Sequence, residues 1–257
     1  MNANLFATYP SLVDKSVFIS GGTTGIGSAF VDAFARQGAR VAFIGRNADA
    51  GSTLAAQLSE QVLHTPLFIQ CDVTDISALQ AAIAAAREAH GPITALINNA
   101  ANDARHTVEE VTVEFWDNAM NINLRHQFFA AQAVAPGMQQ AGGGSIINLG
   151  STSWMIKAPG YPAYATAKAA IHGLTRSLAR ELGPHNIRVN ALVPGWTMTE
   201  KQLRLWVDEA GEREIDHSQT LPGRVRPEHV AALALFMAAD DSCMISAQDF
   251  IIDGGWT

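Results

Sequence analysis

The chain has 257 residues, 48% hydrophobic and 16% charged, enough apolar material to bury the core of one sizeable α/β domain. Its 17 Lys and Arg, scattered and outnumbered by 24 Asp and Glu for a formal charge of −7, exclude a nucleic-acid surface, which needs clustered cations. Cys71 and Cys243 form no Cys-x-x-Cys pair and the histidines show no metal-ligand spacing, so neither a disulfide framework nor a metal site is expected.

Seven short apolar runs recur in chain order: Val17 to Ser20, Val41 to Ile44, Leu67 to Gln70, Ala95 to Ile97, Ser145 to Leu149, Ile187 to Leu192 and Phe250 to Ile252. Alanine-rich stretches of helical spacing separate them. Each run is nearly continuous rather than alternating, as in strands covered by helices on both faces. This predicts a single α/β domain over residues 1–257, a doubly wound, Rossmann-type, seven-stranded parallel sheet flanked by helices. Gly38, Gly91-Pro92 and Gly183-Pro184 mark helix ends. Met1 to Leu12 has no basic residue and no long apolar run, so it reads as neither signal peptide nor anchor. A soluble, cytoplasmic protein with no membrane partner is expected.

The first strand runs into Ser20-Gly21-Gly22-Thr23-Thr24-Gly25-Ile26-Gly27, which opens a helix. Glycines there permit a tight turn and let backbone approach a pyrophosphate over the positive helix terminus. No Gly-Lys-Ser/Thr follows to hold a triphosphate, which disfavours an ATPase or kinase. After the second strand, where an acid would bond the adenosine ribose of NAD, stands Gly45 followed by Arg46. A guanidinium without a neighbouring carboxylate suits the 2′-phosphate of NADP, so NADP is favoured and NAD remains open.

Tyr164 and Lys168 stand four residues apart in a segment that starts helically at Pro162, so one helix face carries both. An ammonium near a phenol favours phenolate and brings it towards use as a base. Ser151, at the carboxyl end of the fifth strand, lies where ligand sites of such sheets are built. The run from Trp196 to Pro222 is charged, contains two tryptophans and lacks strand periodicity, which predicts a mobile lid.

Together these motifs resemble the short-chain dehydrogenases/reductases over essentially the whole chain. The resemblance implies a cofactor site formed by Gly21, Thr23, Thr24, Gly25, Ile26 and Gly27, then Arg46, then Asp72 and Val73 after the third strand. It continues through Asn99 and Ala100 of Asn98-Asn99-Ala100-Ala101, Tyr164 and Lys168 themselves, and Pro194, Gly195, Thr197 and Thr199 after the sixth strand. Ala101 departs from the family's usual glycine. The implied catalytic set is Asn123, Ser151, Tyr164 and Lys168: Tyr164 exchanges the proton of a CH–OH group, Lys168 lowers its pKa and bonds the nicotinamide ribose, Ser151 positions the substrate oxygen, and Asn123 anchors a relay water.

A finer resemblance is to bacterial aldose 1-dehydrogenases, which oxidise sugars such as xylose, arabinose or rhamnose to lactones. Its segments are Asn98 to His106, Asn123-Leu124-Arg125-His126, Gly150 to Trp154 and Asp253-Gly254-Gly255-Trp256. It implies a sugar site from Asn102, Asp103, Ser151, Ser153, Trp154, Tyr164 and Trp196, with Arg105, His106, Arg125 and His126 serving loop or subunit contacts instead. Family resemblance, with Ala165, Ala169 and Ala170 on one helix, also implies a homotetramer. The alternatives are an NADPH-dependent reductase of 3-oxoacyl or other ketones, which shares the catalytic set, and a catalytically idle NADP-binding module, which would have no use for it.

Overall fold

The computed structural model describes residues 7–257; the first half of the Met1 to Leu12 segment, read as neither leader nor anchor, therefore lies outside the described residues. Among them, seven strands form one parallel sheet: β1 (Ser16–Ser20), β2 (Arg40–Gly45), β3 (Leu67–Gln70), β4 (Ala95–Asn98), β5 (Gly144–Leu149), β6 (Ile187–Pro194) and β7 (Asp249–Ile252). Each predicted run is a strand, displaced by at most two residues at an end. The order β3-β2-β1-β4-β5-β6-β7 reverses direction between β1 and β4, the point at which helices change face and a crevice opens.

Strand pleating divides the core. Val17, Ile19, Val41, Phe43, Ala95 and Ile97 face one way, against Phe30, Phe34 and Leu58 of α1 (Gly25–Arg36) and α2 (Ala48–Ser59) and against Val230 and Leu235 of α9 (Pro227–Ala238). Phe18, Ala42, Ile44, Leu96 and Ile146 face the other way, against Leu79 and Ile83 of α3 (Ile76–His90), Val134 and Met138 of α5 (His126–Gln140), and Ala179 of α6 (Pro162–Leu182). Burial on both faces explains why the strands read as continuous apolar runs.

Polar side chains inside the sheet bond one another. The Asn98 side chain donates to Asn148 Oδ1 at 2.9 Å and to the Gln127 carbonyl at 3.2 Å, and Asn148 donates to Thr175 Oγ1 at 3.1 Å. These bonds hold the carboxyl ends of β4 and β5 against α5 and α6, where unmade bonds would be costly.

The segment between Trp196 and Pro222 is more ordered than its composition suggested. It contains α7 (Glu200–Leu205) and α8 (Glu209–Ser218), each with a capping residue ahead of it. Thr199 Oγ1 accepts from Gln202 N at 3.3 Å, and Asp208 accepts from Ala210 N and Gly211 N at 3.0 and 2.9 Å. α4 (Val113–Met120) passes into α5 through a π-helical turn at Asn121–Arg125.

Candidate active site

A cleft with a volume of about 800 Å³ runs across the carboxyl ends of the strands. At one end it is floored by the glycine-rich turn. Ser20 Oγ accepts from Asn99 N at 3.0 Å and Ala100 N at 3.1 Å, while the Asn99 amide donates to the Ser20 and Gly21 carbonyls at 3.1 and 2.9 Å. A Cβ on Gly21 would stand 2.8 Å from Ala100 Cα and one on Gly27 would stand 1.9 Å from Gly21 O, so neither position admits a side chain. Thr24, the residue before α1, makes no side-chain cap, which leaves first-turn N–H groups for a phosphate.

Gly21, Thr23, Thr24, Ile26 and Gly27 line this end; Gly25 sits behind it in a left-handed conformation against Thr199. At Gly45 a Cβ would stand 2.4 Å from Thr23 Cγ2, so an acid at this position would have to displace the Thr23 side chain. Arg46 follows with its side chain 73% exposed, 3.9 Å from Asp72. Asp72 itself accepts from Thr74 N and Oγ1 at 2.9 and 2.8 Å. Val73, Asn99 and Ala100 continue the wall, and Pro194, Gly195, Thr197 and Thr199 close it from β6. These groups fit a nicotinamide dinucleotide: a helix terminus for its pyrophosphate, a cation at the ribose end, and a channel leading to the tyrosine and lysine.

At the other end Ser151, Tyr164 and Lys168 line the cleft together. Ser151 stands one residue beyond β5 and its hydroxyl accepts from Ser153 N at 3.1 Å. Tyr164 and Lys168 share a face of α6, with Lys168 Nζ 5.6 Å from the Tyr164 ring centre and donating to the Leu149 carbonyl at 2.6 Å. Asn123 is not part of the lining. It lies buried in the π-helical turn, where its amide accepts from Asn102 N at 2.8 Å and donates to Asn102 O and Ala119 O at 3.1 and 2.9 Å. It therefore fixes the loop after β4 from behind.

The matching family model, described as enoyl-(acyl carrier protein) reductase, spans residues 21–257. A solved short-chain dehydrogenase/reductase variant from Serratia marcescens superposes with a TM-score of 0.88 at 32% identity, covering 96% of this chain and 99% of that one. The chain belongs to the short-chain dehydrogenases/reductases. It is thus a member of an oxidoreductase family that uses NAD(P) and acts on CH–OH groups of small molecules. A probable galactose dehydrogenase of Rhizobium meliloti is 47% identical over 247 residues, 96% of each chain. The D-xylose 1-dehydrogenase of Caulobacter vibrioides is 45% identical over 250 residues, 97% of this chain and 98% of that one. Among the described residues, no helix of this dehydrogenase is long and apolar enough to cross a membrane.

The substrate end differs from its sequence reading in three places. Trp154 does not line the cleft: its indole N–H donates to His172 Nε2 at 3.1 Å and its ring packs edge-on to that imidazole, so α6 captures it. Asp103 lines the cleft, but Lys201 Nζ and Gln202 Nε2 donate to its two oxygens at 2.5 and 2.7 Å, tying α7 to the loop after β4. Gln202 in turn accepts from the Trp196 indole at 3.0 Å. Arg105, read as a loop or subunit contact, lines the cleft as well.

Asn102, Ser153 and Trp196 stand in the wall as expected, and the Ser153 hydroxyl is buried with no hydrogen-bond partner among the described residues. Arg125 donates to the Thr74 carbonyl at 2.7 Å and His106 accepts from Ala163 N at 3.3 Å, both loop contacts. His126 is instead fully buried, and burial depresses its pKa to about 3. Sequence reasoning missed Tyr161 and Trp256 as lining residues. The available signal for Trp256 was an aromatic residue directly after two glycines, Gly254 and Gly255, both at positive φ.

Burial acts on both members of the tyrosine–lysine pair. Desolvation pushes the Tyr164 phenol above its ordinary range, with hydrogen bonding to Ser151 working the other way. Lys168 is depressed to about 7, again by desolvation, with Asp103 opposing. The helix spacing brings the two groups to one face, but the ammonium expected to favour phenolate is itself disfavoured, because enclosure penalises either charge.

The lysine also affects stability. Between pH 7 and about 10.5 the unfolded chain holds a proton on Lys168 that the folded one lacks, so stability rises with pH through this window. Lys168→Met removes that dependence: chemical denaturation of the cofactor-free protein will show a pH slope between 7 and 10 flatter than wild type, with the difference totalling on the order of 2–4 kcal/mol. An unchanged slope would mean that Lys168 titrates normally.

Proposed function

We propose that the protein is an aldose 1-dehydrogenase that oxidises the anomeric hydroxyl of a free sugar to a lactone, with NADP preferred over NAD. The observation that carries this reading is the convergence of Ser151, Tyr164 and Lys168 on one wall of a cleft whose remaining substrate wall holds hydroxyl-bonding and aromatic groups. Asn102, Ser153 and Trp196 supply these, and the relatives at 45–47% identity carry sugar dehydrogenase names. A 3-oxoacyl-[acyl-carrier protein] reductase from Brucella melitensis shares the fold at 30% identity, but Lys201, a lid cation that such a substrate would draw on, is paired with Asp103.

NAD(P), held by the glycine turn, Arg46 and the β4 and β6 loops, supplies the hydride acceptor. Tyr164 Oη takes the proton of the anomeric hydroxyl, and in the reverse direction returns it. The Ser151 hydroxyl holds that oxygen against Tyr164, which fixes the reacting carbon in place. Lys168, when protonated, would lower the phenol pKa and would bond the nicotinamide ribose, while Asn123 supports the loop carrying Asn102. The segment 196–222 acts as the lid, joined to the substrate loop through Asp103. Half-buried Ala165 and Ala169 and exposed Ala170 on α6 support close packing of a second copy in a cytoplasmic homotetramer. Light scattering at micromolar concentration will give a tetrameric mass; a monomer would overturn that assembly.

Purified protein assayed with pentoses, hexoses and deoxyhexoses will reduce NADP, and Tyr164→Phe will lose roughly 10²- to 10⁴-fold in turnover with cofactor affinity nearly unchanged. No aldose activity alongside NADPH oxidation by a β-keto ester would replace this reading with a ketone reductase. In a cofactor titration Arg46→Ala will weaken NADP by roughly 1.5–3 kcal/mol more than NAD, less at high salt. Equal losses would make Arg46 a bystander.

A further inference from the structure

The charged groups around the substrate end are mostly engaged. Asp103 is taken by Lys201 and Gln202, and Lys168 by the Leu149 carbonyl. Arg105 is the exception. Its guanidinium carbon lies 3.9 Å from the centre of the Tyr161 ring and 4.9 Å from that of Trp206, so aromatic faces hold the plane from the loop before α6 and from the end of α7. Its one hydrogen bond among the described residues is a long one, 3.4 Å from Nη1 to the Pro159 carbonyl, and its buried Nε has no partner. A guanidinium carries five N–H donors in a rigid fork.

From these contacts, and resting on the aldose reading above, we propose that Arg105 is a specificity-determining residue whose guanidinium donates hydrogen bonds to sugar hydroxyl oxygens remote from the anomeric carbon. The fork spans two oxygens at once, which matches hydroxyls on adjacent carbons of a sugar ring. Stacking fixes the plane beforehand, so little side-chain freedom is lost on binding. Donors placed to bond a hydroxyl discriminate against a substrate lacking it, because they are then left unpaired. This assigns to Arg105 the recognition that the chain's carboxylate at Asp103, already bonded to the lid helix, is poorly free to perform.

The test is steady-state kinetics of wild type, Arg105→Lys and Arg105→Gln with galactose, xylose and each mono-deoxygalactose, at saturating NADP. The expected result is a KM for the parent sugars raised roughly tenfold or more with kcat within about threefold, and an unchanged KM for NADP. At least one deoxygalactose that wild type disfavours will lose that disadvantage in Arg105→Lys, an outcome that a purely structural role for the stack does not produce. A KM within about twofold of wild type, or the same discrimination across the deoxy series, overturns the proposal. A measurement on wild type needs no variant: phenylglyoxal modification of Arg105, followed by peptide mass spectrometry, will slow with galactose and NADP present compared with NADP alone, and equal rates count against it. Wild type that oxidises no aldose overturns the sugar reading and this proposal together; wild type that does, with variants unaffected, overturns this proposal alone.

Discussion

The junction between the glycine turn and the end of β4 is the constraint on which the site depends. Ser20 and Gly21 accept four hydrogen bonds from Asn99 and Ala100 across it, and the backbone approach is so close that Gly21 and Gly27 cannot carry a Cβ. This is where the strand order reverses, so the helices on either side diverge and leave a crevice. With that crevice set, β5 delivers Ser151 and α6 delivers Tyr164 and Lys168 to its far end without any of them being adjacent in sequence to the turn. The Asn98–Asn148–Thr175 chain inside the sheet keeps the two ends in register.

Enclosure gives the site its chemistry and also opposes it. Packing around Tyr164 and Lys168 makes both charged forms unfavourable, so neither group is an ordinary surface phenol or ammonium. The protonation of each is thereby sensitive to what else lies in the cleft, which couples acid-base readiness to binding. Asp103 acts at a distance, raising both pKa values, while its own carboxyl is held below the usual range by Lys201 and Gln202 against the desolvation of its site. The contact that joins α7 to the substrate loop therefore also contributes to the field at the reacting groups.

The strands, the glycine turn, the tyrosine–lysine face and the serine at the end of β5 were legible in the sequence because each depends on local order: a run, a spacing of four, a strand followed by a turn. Gly45 and Arg46 were legible for the same reason, although only the fold revealed that Thr23 fills the space a side chain at 45 would need. The substrate wall was not legible. Trp154 follows Ser151 closely enough to suggest a shared cavity, yet a histidine on α6 holds its indole elsewhere. Trp256 reaches the cleft from the far end of the chain because Asp253 accepts from Gly255 N and Thr257 N at 2.8 and 2.9 Å, folding the tail back.

Sequence alone thus determined the doubly wound sheet, the cofactor turn and the candidate proton-transfer set, since backbone periodicity and helix spacing dictate them within a few residues. Tertiary structure alone decided the use of each charged and aromatic group at the substrate end. Asp103 is nearly a hundred residues from Lys201, and Arg105 is as far from Trp206, so which partner captures a side chain depends on how the loops after β4, β5 and β6 meet over the cleft. Local pattern carries no record of that meeting, because the competing partners lie on different elements and only their packing chooses among them.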